Sequence, residues 1–322
     1  MLPAKDDLTI CFAHAAYRMK DRFDLRKAGI RHFEVRAYDD LVRRVGEADV
    51  LLVSGLWKNE LLEHAPRLRF VQSISSGTDQ YSKEQFAARG VRLASAAGVN
   101  ARAVAEHAIA LVLALARRFP EARDHQSRKV WRGMIGDLAQ REDELGGKTM
   151  LIAGMGRIGS QLARLAKAFD MKVIGIRRDP ASGLDGADSM HGMSELVKVV
   201  PQADFVVLAC ALTPQTQGLM SAAAFAAMKP SAYFVNVARG RVADEAALIQ
   251  ALQAGRIAGA GIDVTADEPL AAASPLWTLP QVLLTPHTAG ETRAYEDNVL
   301  DILMENLGRL WRGESALRNQ VV

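Results

Sequence analysis

The sequence predicts an α/β protein built from two doubly wound parallel sheets. Three observations point there. Strand-like and helix-like patterns alternate almost from end to end. A glycine-rich turn near residue 154 opens a second such series, and 322 residues exceed what one hydrophobic core ordinarily serves.

In the first series, short apolar runs at Leu8–Ala13, Val50–Ser54, Arg69–Ser73 and Val91–Ala94 read as strands, with "KNELLEHAP" and "SKEQFAARG" as helices among them. "NARAVAEHAIALVLALARRF" follows as one long apolar helix from about Asn100 to Arg118, with Pro120 beyond its end. A mixed polar segment runs to Gly146–Gly147, a natural break. Six further strands are expected at Met150–Ala153, Val173–Ile176, Phe205–Cys210, Ala232–Val237, Gly259–Asp263 and Val282–Thr285. Six strands in two βαβαβ halves is the plan of a dinucleotide-binding sheet. The closing "TRAYEDNVLDILMENLGRLWRGE" reads as an amphipathic helix with no strand of its own, so it is expected to return to the first sheet.

Composition narrows the class. Forty basic against 37 acidic residues leave a net charge of +3, too balanced for a nucleic-acid surface. The longest apolar stretch, Ala108–Ala116, is half of what spans a bilayer, and "MLPAKDDLTI" has acids where a signal peptide begins basic. Cys11 and Cys210 lie in apolar runs and read as core residues of a reducing compartment. The expectation is a cytoplasmic protein with no nucleic-acid or membrane partner. The seven histidines are scattered without ligand spacing, so no metal site is expected.

The glycine turn is "AGMGRIG". Gly154 permits a tight exit from the strand, Gly156 a close approach of backbone to pyrophosphate, and Gly159 close packing of the helix on the sheet. Met155, Arg157 and Ile158 fill the loop, and Arg157 offers a phosphate contact. An acid that accepts from a ribose 2′-hydroxyl belongs about 20 residues further on. Arg177 stands there instead, followed by Arg178. A guanidinium pair suits a 2′-phosphate, so NADP(H) is expected over NAD(H), with NAD(H) still admissible. The competing reading is two solvated arginines, with Asp179 supplying the ribose contact.

Past the glycines, three stretches place polar groups just after a strand, at the sheet edge where open α/β folds bind ligands. They are "VNVARGRVADEAAL" with Arg239, "GIDVTADEPL" with Glu268, and "LLTPHTAG" with His287. Arginine can fork onto a substrate carboxylate, histidine can pass a proton to or from the reacting oxygen, and glutamate can hold the imidazole in one tautomer. Singly, each has a plainer reading: a surface cation, a loop acid before proline, a turn histidine. Together they form a redox set for a hydride-carrying cofactor.

"GMGRIG", "MKPSAYFVNVARGRVADEAALIQALQAGRIAGAGIDVTADEPL" and "PQVLLTPHTAG" resemble the D-isomer-specific 2-hydroxyacid dehydrogenases, in the glyoxylate/hydroxypyruvate reductase-like branch. The likeness covers essentially the whole chain. It implies a Rossmann cofactor domain, residues 99–288, inserted in a flavodoxin-like substrate domain, residues 1–98 and 289–322, with the active site in the cleft. It implies Arg239 on the 2-oxo acid, His287 as acid/base and Glu268 supporting it. Asp263 is implied as a nicotinamide contact, and Thr213 and Ala238 as cofactor lining. "SISSGTDQY" resembles a loop whose amides hold the substrate carboxylate, which points to Ser76 and Gly77, with Leu56 and Trp57 shaping the pocket. On spacing alone the same residues are equally an ordinary strand-to-helix turn. The Asn100–Arg118 helix resembles a dimer-forming segment, which implies a homodimer, and it could equally be a buried core helix.

Departures are Ala211 for a usual proline, Thr265 for a common phenylalanine, and "SISSGTD" for a more glycine-rich loop. Glu268 argues against the formate dehydrogenase branch, and the chain ends too soon for the regulatory domain of many phosphoglycerate dehydrogenases. The expected activity is reduction of a small 2-oxo acid to a D-2-hydroxy acid. The alternatives are an NAD-dependent member acting on another 2-hydroxy acid, and an NAD(H)-responsive corepressor-like binding protein.

Overall fold

The apolar runs form strands buried on both faces, which parallel sheets with helical crossovers require. In the computed structural model, which describes residues 2–322, they assemble into two sheets in two units. Residues up to Asn100 join Thr292–Val322 in the first unit, and Ala101–Glu291 form the second.

The first unit has five strands: β1 (Thr9–Ala13), β2 (Arg31–Val35), β3 (Val50–Val53), β4 (Phe70–Ser73) and β5 (Arg92–Ala94). All pair parallel, in the order β2-β1-β3-β4-β5, the flavodoxin-like arrangement with its reversal between β1 and β3. Ile10, Phe12, Val50 and Leu52 fill one apolar layer, and Cys11, Ala13, Leu51 and Val53 the other. The helix Tyr295–Trp311 buries Val299, Leu300, Leu303 and Leu307 in the first of these layers, so the C-terminal helix does return to this sheet. Each such burial contributes about 1.5–3 kcal/mol. Four strands were expected here and five are found. The extra one, β2, reads "RHFEV", and its charges hide it from an apolar search because it is an edge strand. Charge on an edge also discourages pairing with another chain.

The second unit carries β6 (Thr149–Ala153), β7 (Lys172–Arg177), β8 (Ser189–Gly192), β9 (Phe205–Leu208), β10 (Tyr233–Asn236), β11 (Gly259–Ile262) and β12 (Val282–Leu284). Their order is β12-β11-β10-β9-β6-β7-β8, all parallel. Counted from β6 this is the 3-2-1-4-5-6 order of a Rossmann sheet, extended by a seventh strand. Six strands were expected. The missed one, β8, is the edge "SMHG", half-buried throughout and without a β-branched residue.

The expected helix Asn100–Arg118 is shorter, Ala101–Ala116, because Arg118 turns left-handed at φ 51° and a second helix, Phe119–Ser127, begins. Pro120 therefore sits in the first turn of that helix, where its missing N–H costs nothing. Val104, Ala108, Leu111, Val112 and Leu115 bury the long helix in a layer shared with the helix Arg157–Ala168. Beyond Ser127 the chain is irregular as far as Asp137, and Trp131 and Met134 are fully exposed there, at 99% and 101%. No helix among the described residues is long and apolar enough to cross a membrane.

Candidate active site

The glycine turn leaves β6 at Gly154, whose φ of +107° favours glycine. A Cβ there would lie 2.5 Å from the Cys210 amide nitrogen, and one on Gly159 would lie 2.1 Å from the Gly154 carbonyl oxygen. Both positions must be bare for the turn to seat between β6, β9 and the helix. A Cβ on Gly156, by contrast, would point into open space. The first N–H groups of the helix Arg157–Ala168 have no partner within it, and its dipole favours an anion at this end. The cradle fits a dinucleotide pyrophosphate, with Gly156 on its open side. Met155 takes no side-chain part, since it is 2% exposed and packs under Gly175. Ile158 is half-buried against the same core layer.

At the carboxyl edge of β10, Asn236 shapes the next turn. It is 2% exposed; its Oδ1 accepts the Ala238 N–H at 3.0 Å, and its Nδ2 donates to the Arg239 carbonyl at 3.2 Å. Ala238 is buried, and Arg239 projects outward. The arginine's Nη1 donates to the Ala238 carbonyl at 2.7 Å, and it pairs with no carboxylate among the described residues. A Cβ on Gly240 would meet the Thr265 carbonyl group at 2.0 Å, so the β10 turn lies directly against the turn after β11. That second turn holds Glu268, whose Oε1 accepts the Thr265 N–H at 3.1 Å. The Glu268–Pro269 peptide is cis.

Glu268 Oε2 lies 2.7 Å from His287 Nδ1. An ionised carboxylate only accepts, so the shared proton is assigned to Nδ1, and Nε2 is left to exchange a proton with a substrate. His287 itself is left-handed, at φ 55°. A non-glycine residue there costs on the order of 1–3 kcal/mol and persists only where its surroundings dictate it. Asp263 dictates it. Its carbonyl accepts the His287 N–H at 2.8 Å, and its carboxylate, 3% exposed, accepts the Thr288 N–H at 3.0 Å and the Ala289 N–H at 3.1 Å. Thr285 Oγ1 donates to the same carboxylate at 2.6 Å and so must accept from His107 Nε2, at 3.0 Å. A pocket of 620 Å³ opens beside the pair, lined by Glu268, Leu270, Trp277, Leu284, Pro286 and His287 among others. An arginine without a carboxylate partner among the described residues, and a histidine with a carboxylate on its Nδ1, thus follow neighbouring strands at one sheet edge, an arrangement that suits proton-coupled reduction of a carboxylate-bearing carbonyl compound.

The loop after β9 is organised by Thr216, whose hydroxyl donates to the Ala211 carbonyl at 2.6 Å and accepts the Thr213 N–H at 2.8 Å. At the end of β7, Arg177 Nη1 is 2.5 Å from Asp185 Oδ2, whereas Arg178 is exposed and pairs with nothing among the described residues. Asp179 turns its Oδ1 to the Ala181 N–H at 3.1 Å.

In the first unit, Ser76 sits in the loop after β4, its Oγ donating to the Ala96 carbonyl at 3.3 Å, with Gly77 partly exposed next to it. Trp57 was expected to shape a pocket, but it is a core residue. It is 5% exposed, packs on Tyr81 and Phe86 at 5.2 Å, and gives its indole N–H to Asn59. Leu56 is half-buried against the same layer. Among the described residues no group of three or more His, Cys, Asp or Glu could hold a metal ion.

Sequence reading missed His107, Thr216, Asn236 and Thr285. Only Asn236 carried a visible signal, a polar residue closing an apolar strand directly before Ala-Arg-Gly.

A family model described as "D-isomer specific 2-hydroxyacid dehydrogenase, NAD binding domain" matches residues 109–289. The chain belongs to the D-isomer-specific 2-hydroxyacid dehydrogenase family. As a D-2-hydroxyacid dehydrogenase it is an oxidoreductase that uses a nicotinamide cofactor. It is 35% identical over 300 residues to a glyoxylate reductase of Pyrococcus furiosus, covering 88% of this chain and 87% of the relative. It is 39% identical over 249 residues to glyoxylate/hydroxypyruvate reductase B of Klebsiella pneumoniae, covering 77% and 76%. These relatives place it in the glyoxylate/hydroxypyruvate reductase-like branch. A solved NADPH-dependent glyoxylate/hydroxypyruvate reductase from Sinorhizobium meliloti, in complex with citrate, superposes with a TM-score of 0.82 at 27% identity, covering 98% of this chain and 97% of that one.

Proposed function

We propose that this dehydrogenase is an NADPH-preferring reductase of small 2-oxo acids, glyoxylate and hydroxypyruvate foremost, yielding D-2-hydroxy acids. The observation that carries the reading is the 2.7 Å contact of His287 with Glu268 at the same sheet edge as an arginine free of any carboxylate partner among the described residues. In this reading Ala101–Glu291 is the dinucleotide domain, and the remainder is the substrate domain, where Ser76 and Gly77 offer a carboxylate-binding loop. The cofactor supplies the hydride. Arg239 grips the carboxylate and fixes the carbonyl's orientation. His287 gives its Nε2 proton to the oxygen that becomes hydroxyl, while Glu268 holds the ring through Nδ1. Asp263, Ala238 and Thr213 line the nicotinamide and adenosine sides. Exposed Arg178, beside Arg177, is what supports NADPH over NADH.

The relatives' names support the substrate class, and the Sinorhizobium enzyme's title supports the cofactor. We also infer a homodimer, for which the bare Trp131 and Met134 are the support, and a cytoplasmic location, for which the free thiols of Cys11 and Cys210 are the support. A panel of 2-oxo acids assayed with each reduced cofactor tests the activity. Turnover of glyoxylate or hydroxypyruvate, faster per unit KM with NADPH, is expected; no turnover of any 2-oxo acid, or equal efficiency with NADH, overturns the corresponding half.

A further inference from the structure

We infer that Asp185 sets how strongly the site discriminates between the two cofactors, by occupying Arg177 and leaving Arg178 as the guanidinium that meets a 2′-phosphate. The inference rests on the reading above that the end of β7 binds the adenosine ribose.

The sequence displays two arginines there and suggests a doubly positive site. The structure does not leave that charge free. Arg177 Nη1 contacts Asp185 Oδ2 at 2.5 Å and reaches towards the Gly183 carbonyl at 3.5 Å. With Asp179 alongside, two acids stand against two bases within nine residues.

Asp185 is delivered to Arg177 by its backbone rather than by chance rotation. The loop carrying it is fastened at both ends. At the near end Asp179 caps its own turn, accepting from the Ala181 N–H at 3.1 Å. At the far end Asp188 Oδ2 accepts the Val173 N–H at 2.8 Å, and the carboxylate takes Lys167 Nζ at 2.8 and 3.0 Å. Between them the Ala187 N–H bonds the Leu184 carbonyl at 2.8 Å, and Gly186 lies so close to the helix Arg157–Ala168 that its Cβ would be 3.6 Å from that of Ala163.

A 2′-phosphate brought to this strand end meets Arg178 unopposed. It meets Arg177 only beside a fixed carboxylate. Like unit charges a few ångströms apart in water shift a binding equilibrium about fivefold against association, and a phosphate near its dianion doubles the exponent. NADH carries a neutral hydroxyl there and escapes this repulsion. Asp185 therefore lowers NADPH affinity selectively.

The test is direct binding, with NADPH and NADH titrated into the full chain by quenching of tryptophan fluorescence or by calorimetry. Asp185→Asn keeps the shape and removes the charge. It is expected to tighten NADPH about five- to thirtyfold, to leave NADH within about twofold, and to lose its advantage as salt rises. Arg178→Ala separates this idea from its foundation and should collapse the preference for NADPH. If Arg178→Ala collapses it while Asp185→Asn leaves the NADPH-to-NADH Kd ratio unchanged, the role of Asp185 is overturned and the cofactor reading stands. If Arg178→Ala also leaves the ratio untouched, the 2′-phosphate reading falls and takes this inference with it. Unchanged melting temperatures certify the folded state of each variant, and Asp185→Ser repeats the charge removal should the asparagine variant be unstable.

Discussion

Thr285 gives its hydroxyl proton to Asp263 across 2.6 Å, and this bond, with the two amides that share the carboxylate, holds the turn carrying His287. Asp263→Asn offers one acceptor oxygen where the turn needs three acceptances. A displacement near 1 Å at a reacting group can cost on the order of 10²-fold. The expected outcome is a kcat loss of that size with a smaller change in KM, and Thr285→Val should follow in the same direction more weakly. Steady-state kinetics with the best 2-oxo acid check it; a wild-type kcat in Asp263→Asn would remove the turn from the mechanism.

His287 and Glu268 act as one unit through their 2.7 Å contact. His287→Ala is expected to cost about 10²-fold or more in kcat, and Glu268→Gln less. Because groups that act together are not additive, the double variant should fall little below His287→Ala alone. Losses that multiply would mean that the two residues serve separate ends.

The glycine turn makes a paired prediction. A Cβ on Gly159 collides with the Gly154 carbonyl, so Gly159→Ala should lose about 1–3 kcal/mol of stability. Gly156 faces open space, so Gly156→Ala should keep its stability within about 0.5 kcal/mol yet weaken dinucleotide binding about tenfold. Denaturant midpoints and cofactor titrations distinguish the two. Equal cofactor affinity in Gly156→Ala would place the pyrophosphate elsewhere.

His14 makes the first unit sensitive to acid. Burial holds its pKa below the usual histidine range, although Glu296 pulls the other way. Its Nδ1 accepts the Ala16 and Tyr17 N–H groups at 3.0 and 2.9 Å, bonds that a proton on that nitrogen would break. A folded value below the unfolded one means that the stabilisation is complete above the unfolded pKa, about 6.5, and is lost as pH falls through the folded one. Urea midpoints should therefore drop between pH 7 and pH 5.5 in the wild type and drop less in His14→Gln. Parallel drops in the two proteins would acquit His14.

Trp131 and Met134 stand bare on an irregular segment, as side chains awaiting a second copy do. Replacing both by serine should weaken self-association about thirtyfold or more, as loss of a central aromatic anchor does. Sedimentation at several concentrations measures it. A wild-type protein that stays monomeric at high concentration would refute the dimer.

What could be read in advance follows from what each residue touches. The central strands were legible because burial on both faces leaves runs such as "VLLV" and "FVVL". The edge strands β2 and β8 were not, because "RHFEV" and "SMHG" hold no apolar run to show. Arg239, Glu268 and His287 were legible as candidates because each lies within six residues of a strand's carboxyl end. Their supports were not: His107 reaches Thr285 from 178 residues away, and Asp185 reaches Arg177 through a loop whose path depends on a helix elsewhere. The place of Trp57 was not legible, because only the resemblance points to it as a pocket residue, whereas Tyr81 and Phe86 give it a core to join.

The missing side chain of Gly240 reaches further than its own turn. With the Thr265 carbonyl where a Cβ would stand, the strand-end loops bearing Arg239 and Glu268 are in backbone contact and must shift as a single piece. Under the proposed function, any change in the turn after β11 that repositions Glu268 is passed to the loop that bears Arg239, so the grip on the substrate and the support of the proton carrier are adjusted together.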